Sequence, residues 1–410
     1  MKCKSVFSFL LIIVLTASLF AGCGGAQQPA TPAPAPATTE SNASESQENE
    51  APPSQPLDPI KIGYVGAITG ENAILAEYES KGVMLAVDEI NAAGGVNGHP
   101  LELVIEDAAG TNSGAVLATQ KIIARDDIVG IIGLMRSPFM MAATEYIQEA
   151  KIPILTNGTA LQITRHGNPY VFRIRANDLV VTDVVLKFIA DDLGLTKIAV
   201  LHDTDVYGMG GLENIKTNLE KYPNLEIVSE QGYNTGARDW SPQLLNIRNS
   251  GAEVIIGWGT NTQENATIVR QIKQMGLDVK VIGAPTYGTT VMLESAGEYA
   301  EGLCSVTDWN TSLTDERSAK FIQDFHAKYG HDPDYASAAG YDGLYLLAEA
   351  IKNAGTDREA VRDAMSDIRN FEGIIATYDY DEFGDGNREM CITQVNGGRY
   401  EIITRVRVEK

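Results

Sequence analysis

The chain has 410 residues, 44% of them hydrophobic, and a formal net charge of −22 at pH 7. Such an acidic surface disfavours a nucleic-acid partner, because nucleic-acid phosphates carry the same sign of charge. Four cysteines are too few for a disulfide-stabilised scaffold. About 350 residues follow the low-complexity N-terminal stretch, enough for two domains of ordinary size.

Residues 1–22 are predicted to be a signal peptide. Lys2 and Lys4 flank the start of an apolar run over residues 6–20, which is too short to span a bilayer but has the length of a signal-peptide core. The run ends in Leu-Phe-Ala-Gly-Cys, which resembles the bacterial lipobox and implies that Cys23 is lipidated and becomes the mature N-terminus. An ordinary secretory signal and an uncleaved anchor are the alternatives.

Residues 23–58 are predicted to form the lipidated cysteine and a disordered tether. From residue 24 to about residue 56 the chain is rich in Ala, Pro, Thr, Ser, Gln and Glu and has no aromatic residue, so it cannot bury a core. A tether of this length has an r.m.s. reach of roughly 30 Å. We therefore expect an extracytoplasmic protein, lipid-anchored to the outer face of the cell membrane or periplasmic.

Beyond the tether, short apolar runs alternate with helical stretches, which predicts parallel sheets with helices on both faces. In the first helix Val83, Val87 and Ile90 share one face, and the glycines at 94–95 suit a helix C-terminus. Two strand series of similar size imply two similar lobes. Their ranges are 60–65, 101–105, 128–133 and 152–155, then 197–201, 225–228, 253–257 and 279–283.

Further elements complete a predicted α/β fold of two Rossmann-like lobes. A helix begins at Ser241-Pro242, where a capping residue precedes proline at the first helical position. Helices are predicted over 316–329 and 341–354. A hairpin-like segment around Gly384-Asp385-Gly386 and Gly397-Gly398 closes the chain.

Ligands of open α/β sheets bind at the carboxyl ends of the strands, where loops and helix N-termini present free amides. Two lobes that face each other would line a cleft with these loops. A single loop Ser, Thr or Asn is more often a turn or capping residue than a ligand contact, but several converge here. The candidate loops are 134–137, 156–159, 203–207, 260–261 and 285–287.

From about Ile60 to the C-terminus the sequence resembles the branched-chain amino acid-binding proteins of ABC importers, which have the type I periplasmic-binding fold. The order and spacing of several motifs carry the resemblance. They are Leu-Ala-Val-Asp-Glu-Ile-Asn at 85–91 with Gly-Gly-Val-Asn-Gly at 94–98, Gly-Asn-Pro-Tyr-Val-Phe-Arg at 167–173, His202-Asp203 with Tyr207-Gly208, Asp239-Trp240-Ser241-Pro242, Ala300-Glu301-Gly302 and Tyr341-Asp342.

The resemblance implies a monomeric extracytoplasmic solute-binding protein without cofactors. Its lobes, an N-terminal one of residues 59–177 plus 308–388 and a C-terminal one of 178–307 plus 389–410, would be joined by a hinge of several crossovers. A branched-chain or related amino acid would bind between them and pass to the permease and ATPase of an ABC importer. A receptor for an amide or another small polar solute is the alternative, although no signalling domain precedes Lys410, which favours transport.

The resemblance also implies site residues. Ser137 matches the serine that holds the ligand carboxylate, and Gly158 and Thr159 match an alanine-threonine pair after the fourth strand. Tyr207 matches a cleft tyrosine of the second lobe, and Asp178 matches an aspartate that faces the cleft near the first crossover.

Several positions depart from the family pattern. Asn261 replaces an aromatic or small polar residue of a cleft loop, and Leu75 stands where a first-lobe tyrosine is expected. Pro285 occupies the position of the carboxylate that meets the ligand ammonium, and Thr286 follows it. Only Asp178, Asp203 or Asp205 would then neutralise an ammonium group. Arg136 would be a further positive partner for the carboxylate, or would face solvent.

Signatures of catalysis or metal binding are missing from the sequence, so we expect neither. Gly208-Met209-Gly210-Gly211 lacks the third glycine of a dinucleotide fingerprint, and neither a P-loop nor a nucleophile elbow occurs. The five histidines are scattered. Asp379, Asp381 and Asp385 miss calcium-loop spacing and predict a solvated turn.

Cys304 and Cys391 are the two cysteines of the predicted folded part. The family layout implies that their strands lie side by side near the hinge, and export permits oxidation. A disulfide and two buried free thiols both remain open from the sequence.

Overall fold

The computed structural model describes residues 57–70 and 73–408. The predicted signal peptide, Cys23 and all but the last two residues of the predicted tether therefore lie outside the described residues. Two sheets dominate the described part, one of five strands and one of seven. Within 57–70 and 73–408 no helix combines the length and apolar character needed to cross a membrane.

The five-stranded sheet is parallel throughout and is the centre of the body that we call lobe 1. The strand order is β2-β1-β3-β4-β5. The strands are β1 (Ile60–Gly66), β2 (Leu101–Asp107), β3 (Ile128–Gly133), β4 (Ile154–Thr156) and β5 (Val171–Arg173).

The seven-stranded sheet is the centre of lobe 2 and has the order β14-β13-β10-β9-β8-β6-β7. Its first five strands along the chain pair in parallel, and the last two are antiparallel. The strands are β6 (Lys197–Asp203), β7 (Glu226–Tyr233), β8 (Val254–Trp258), β9 (Lys280–Gly283), β10 (Cys304–Thr307), β13 (Glu389–Asn396) and β14 (Arg399–Arg407), while β11 (Phe371–Glu372) and β12 (Thr377–Tyr378) pair separately.

Helices cover both faces of each sheet. A π-helical turn over Phe188–Asp192 extends α5, and short 3-10 turns lie at Pro285–Tyr287 and Gly297–Ala300. The helices are α1 (Ala73–Ala92), α2 (Asn112–Ile123), α3 (Ser137–Glu149), α4 (Gln162–Arg165), α5 (Asp178–Lys187), α6 (Val206–Leu219), α7 (Ser241–Ser250), α8 (Thr262–Gln274), α9 (Thr290–Ala296), α10 (Glu316–Tyr329), α11 (Tyr335–Ala354) and α12 (Arg358–Ser366).

Each sheet separates two hydrophobic cores, because successive strand residues point to opposite faces. In β3, Ile132 packs with α1 and α11, whereas Ile131 packs with α2 and α3. In β6, Val200 packs with α5 and α6, whereas Leu201 packs with α7 and α8. The near-continuous apolar strands of the sequence follow from this burial on both sides.

The chain passes between the lobes three times, after β5, after β10 and between β12 and β13. Buried charges tie these crossings together. Arg175, just after β5, forms a bidentate pair with Asp308, just after β10, at 2.7 and 3.1 Å. Backbone pairing of Arg173 with Asp385 links β5 to the segment that leads to β13.

The predicted α/β fold is confirmed, and the structure refines two predictions. Helix α11 begins at Tyr335, six residues before the predicted start, because Asp334 and Ser337 form a capping box there. Strand β2 runs to Asp107, two residues beyond the predicted range 101–105, and Ile105 within it is exposed. Since β2 lies at the edge of its sheet, its end lacks the cover that a central strand receives.

The predicted solvated turn is wrong for Asp385. Its carboxylate is buried and accepts hydrogen bonds from Arg173, Arg165 and Asn177. Two guanidinium groups offset the cost of removing this charge from water. Among the described residues no group of three or more His, Cys, Asp or Glu is arranged to hold a metal ion.

Cys304 and Cys391 are both buried free thiols. The two strands are neighbours as expected, but Cys304 lies opposite Gln394 and Cys391 lies opposite Thr307. An offset of three residues places the thiols on opposite faces of the sheet. This register prevents a disulfide. Of the two alternatives left open by the sequence, the structure therefore supports two buried free thiols.

Candidate functional site

One cavity opens where the carboxyl ends of the strands of both lobes meet. It contains about 600 Å³ of space, part of it open to solvent. Lobe 1 supplies one wall through the ends of β1, β3 and β4, and lobe 2 supplies the other through the segments after β6, β8 and β9. The lining residues are Gly66, Ala67, Leu75, Ala76, Leu134, Met135, Arg136, Ser137, Phe139, Asn157, Thr159, Arg175, Tyr207, Thr260, Thr286 and Tyr335.

The lobe 1 wall presents hydroxyl groups at a helix N-terminus. Ser137 is the first residue of α3, and a proline follows it. Proline is tolerated in the first turn because the backbone amides there have no hydrogen-bond partner within the helix. The Ala160 N–H donates to Ser137 Oγ at 3.2 Å, which holds the hydroxyl beside the loop that carries Thr159. Hydroxyls and the positive end of a helix dipole together favour a carboxylate.

The lobe 2 wall is built around two capped loops. Asp205 caps α6 by accepting from the Tyr207 and Gly208 amides, and Thr260 Oγ1 donates to the same carboxylate at 2.7 Å. Thr286 Oγ1 donates to the Gly259 carbonyl at 2.6 Å. These bonds position Tyr207, Thr260 and Thr286 before any ligand arrives.

Arg175 contributes less positive charge to the cavity than its position suggests. It is buried, its guanidinium lies 4.0 Å from the centre of the Tyr335 ring, and it is paired with Asp308. Because the carboxylate neutralises it, Arg175 acts mainly as a rigid wall. Arg136, beside Ser137, is half-buried and lies over the Phe139 ring at 4.8 Å.

Three buried carboxyl groups surround the cavity. Burial raises the pKa of Glu79 to about 7, against the lowering effect of its bonds from Tyr64 and Asn157. Burial also raises the pKa of Asp178 to about 7. The nearby Thr159 hydroxyl acts in the opposite direction and lowers this pKa, although its geometry to the carboxylate is not that of a regular hydrogen bond. Burial and the adjacent Asp205 raise the pKa of Asp203 to about 8.

The structure brings four of the sequence-predicted site residues together. Ser137, Thr159, Tyr207 and Thr286 all line the cavity, as does Leu75. Gly158, Asp178 and Asn261 do not.

Each of those three has a structural partner or position. The Gly158 amide donates to Thr156 Oγ1 and its carbonyl accepts from Arg173. Asp178 begins α5 and is fully buried. Asn261 caps α8 by accepting from two amides of its first turn.

Sequence reasoning did not single out Asn157, Arg175 and Tyr335. Asn157 lies inside the predicted loop 156–159, so the strand end already indicated it. Arg175 and Tyr335 come from the first crossover and the start of α11, and no local pattern connects these distant segments. Their meeting is a consequence of how the crossings pack.

Two α/β lobes with one shared cavity at their strand ends define a two-lobed solute-binding protein. The sequence matches the family described as periplasmic binding protein over residues 59–399, and the chain belongs to that family. It is 30% identical over 334 residues to the leucine-, isoleucine-, valine-, threonine-, and alanine-binding protein of Pseudomonas aeruginosa, which covers 81% of this chain and 88% of that protein.

Solved structures share the fold. The branched-chain amino acid transporter substrate binding protein LivJ of Streptococcus pneumoniae, in complex with isoleucine, has a TM-score of 0.78 at 24% identity and covers 85% of this chain and 99% of that chain. An ABC transporter substrate-binding protein of Desulfitobacterium hafniense in complex with Leu has a TM-score of 0.74 at 25% identity, covering 85% and 100%. The resemblance to branched-chain amino acid-binding proteins is thus confirmed, and these relatives are binding proteins of transport systems.

Proposed function

We propose that this chain is the extracytoplasmic solute-binding lipoprotein of an ABC importer and captures an amino acid, branched-chain or related, between its lobes. The observation that carries the proposal is the convergence of Ser137 and Thr159 with Tyr207 and Thr286 on one cavity. The relative that is 30% identical is named for binding five amino acids.

The chemistry of the cavity suits such a ligand. Hydroxyls at the α3 N-terminus offer charge-assisted hydrogen bonds to a carboxylate. Leu75, Ala76, Leu134 and Phe139 add an apolar surface for an aliphatic side chain. A ligand that touches both walls stabilises the closed arrangement, since only the closed form makes all of these contacts.

We further propose that Cys23 carries the lipid anchor and that the lobes comprise residues 59–177 plus 308–388 and 178–307 plus 389–410. A permease and its ATPase would receive the ligand from the closed monomer. The test of anchoring is membrane fractionation of Cys23→Ala, which should be released or left as an uncleaved precursor. Normal processing with unchanged membrane attachment would reject the anchor.

Calorimetric titration with leucine, isoleucine, valine, threonine and alanine tests the ligand class. We expect 1:1 binding of at least one of them. One observation favours a second candidate, a neutral amide: within residues 57–70 and 73–408, no Asp or Glu lines the cavity. Binding of amides such as acetamide and butyramide, with none of the five amino acids bound, would replace the amino-acid proposal by this one.

A further inference from the structure

An amino-acid ligand brings an ammonium group, and the described residues that line the cavity offer it no carboxylate directly. Position 285, where the family pattern predicts one, is a buried proline in a 3-10 turn. Asp205 uses both carboxylate oxygens on amides of α6 and on Thr260. Asp203 accepts from the Thr260 N–H at 2.6 Å and does not line the cavity. A different acceptor is therefore required.

Asn157 is the polar side chain of the cavity with an unfilled acceptor. It lies at the end of β4 and is 1% exposed. Its Nδ2 donates to Glu79 Oε1 at 2.6 Å, while its Oδ1 is buried without a partner among the described residues. When Glu79 is ionised its carboxylate only accepts hydrogen bonds, so the amide nitrogen of Asn157 then faces Glu79 and the amide oxygen is the end left for a ligand. A buried acceptor without a donor is costly, so a donor from the ligand would remove that cost.

Glu79 supplies the negative charge behind this amide. It is fully buried in α1, and the Tyr64 hydroxyl donates to its second oxygen at 2.8 Å. The same hydroxyl lies 3.0 Å from the Ala76 carbonyl. Tyr64 therefore has an acceptor in either state of Glu79. Its hydroxyl donates to Glu79 when the carboxylate is ionised. When Glu79 is protonated, the Tyr64 hydroxyl donates to the Ala76 carbonyl and accepts a hydrogen bond from the Glu79 carboxyl group.

We infer that Asn157 Oδ1 accepts the hydrogen bond of the ligand ammonium and that Glu79, held by Tyr64, supplies the compensating charge through Asn157. This inference rests on the proposed function, since it concerns an amino acid in the same cavity. It makes Asn157 a binding residue and Glu79 a positioning residue that acts through it.

Asp178 is the competing acceptor. Its carboxylate is buried without a regular hydrogen bond, but it begins α5 behind Thr159 and is not part of the cavity wall. Asn157, in contrast, lines the wall opposite Tyr207 and Thr286, next to the hydroxyls that suit the carboxylate. The two candidates make different predictions for the same pair of ligands.

The experiment compares leucine with 4-methylpentanoate, which lacks only the amino group, on the full-length mature protein. We expect Asn157→Ala and Glu79→Gln to weaken leucine binding about ten-fold or more and 4-methylpentanoate binding less than about three-fold. Equal losses for both ligands, no loss for either, or a selective loss in Asp178→Asn alone would overturn the inference. If the wild type binds none of the five amino acids, the proposed function fails first.

Proton release on ligand binding is a second measurement, and it would not change if Glu79 had a purely structural role. Tyr64, Asn157, Arg175 and Asp334 are the polar and charged groups that act on Glu79, and of these four only Asn157 meets the ligand ammonium directly in this arrangement. A cation nearby favours the ionised carboxylate, so leucine binding at pH 7 should release protons. Calorimetry in two buffers of different ionisation enthalpy should show a smaller release for Glu79→Gln than for the wild type; equal releases would overturn the inference.

Discussion

Arg173 and Asp385 form a buried ion pair, with 2.7 Å between Arg173 Nε and Asp385 Oδ1. It joins the end of β5 in lobe 1 to the segment that crosses into β13 of lobe 2. Burial raises the pKa of Asp385, but the charges of Arg173 and Arg165 outweigh burial and hold the pKa below its usual value. The carboxylate is thus a charged anchor within the crossing region.

Asp385→Asn should lower the free energy of unfolding by about 3–5 kcal/mol, because it leaves the buried Arg173 guanidinium without its counter-charge. Urea titration monitored by circular dichroism measures the change. Asp191→Asn is the matched control, since its pair with Lys187 is half-exposed and solvent screening leaves it little effect on stability. Equal effects of the two substitutions would contradict the assignment of Asp385 as an anchor.

Stability should fall as the pH rises from 5 to 8. Burial raises the pKa of Glu79 and of Asp178 to about 7, and burial with Asp205 raises that of Asp203 to about 8. The folded state then binds more protons than the unfolded state in this window, and the stability that these groups contribute below their unfolded pKa is lost as the pH passes their folded pKa. Urea titrations at both pH values should differ by more than about 1 kcal/mol. A protein that is more stable at pH 8 would contradict the buried neutral carboxyls.

Gly82→Ala should destabilise lobe 1 by about 1–3 kcal/mol, since a methyl group there overlaps the Ser337 carbonyl where α1 meets α11. It should also weaken ligand binding, because α1 carries Leu75 and Glu79. Gly130→Ala is a milder comparison, because the nearest atoms there belong to the end of the Leu347 side chain and not to the backbone. Thermal unfolding measures the change in stability, and calorimetry measures the change in ligand affinity. A Gly82→Ala protein with wild-type stability would show that α1 and α11 can move apart without cost, which would contradict the close packing at this position.

If Cys23 carries the lipid as proposed, the mature protein should titrate two thiols, and only after denaturation without reductant. Burial raises the pKa of Cys391 to about 11 and also raises that of Cys304, so neither reacts readily in the folded state at pH 8. Thiol counting with a chromogenic disulfide reagent distinguishes the states. An absence of thiols after denaturation would contradict the register of β10 and β13.

Much of the fold follows from the sequence, because the strands are apolar runs bounded by turns and the helices have clear caps. The helix over 316–329 agrees with α10 at both ends, where Asp315 caps the start and Gly330 the end. The strands of the first series likewise match β1 and β3. Local chemistry determines these boundaries, so a local pattern is sufficient to find them.

The site was harder to predict, since it depends on segments far apart in the chain. Strand ends predict the loops that carry Ser137 and Thr159, and the family resemblance singles out these two residues within the loops. Glu79 lies in the middle of an apolar helix face and looks like an ordinary solvent-exposed glutamate in the sequence. Only the packing of α1 against β1 and β4 reveals that Tyr64 and Asn157 surround it.

Affinity measurement on Ser137→Ala tests the central claim most directly, that this cavity binds an amino acid by its carboxylate. Removing a hydroxyl that meets a charged group costs about 1.5–3 kcal/mol, which is a ten-fold to over hundred-fold loss of affinity. Thr159→Val should lose a similar amount, and Thr217→Val, on the exposed side of α6, should bind as the wild type does. Calorimetry with the tightest-binding amino acid should give this pattern. Wild-type affinity in both cavity variants would contradict the placement of the site.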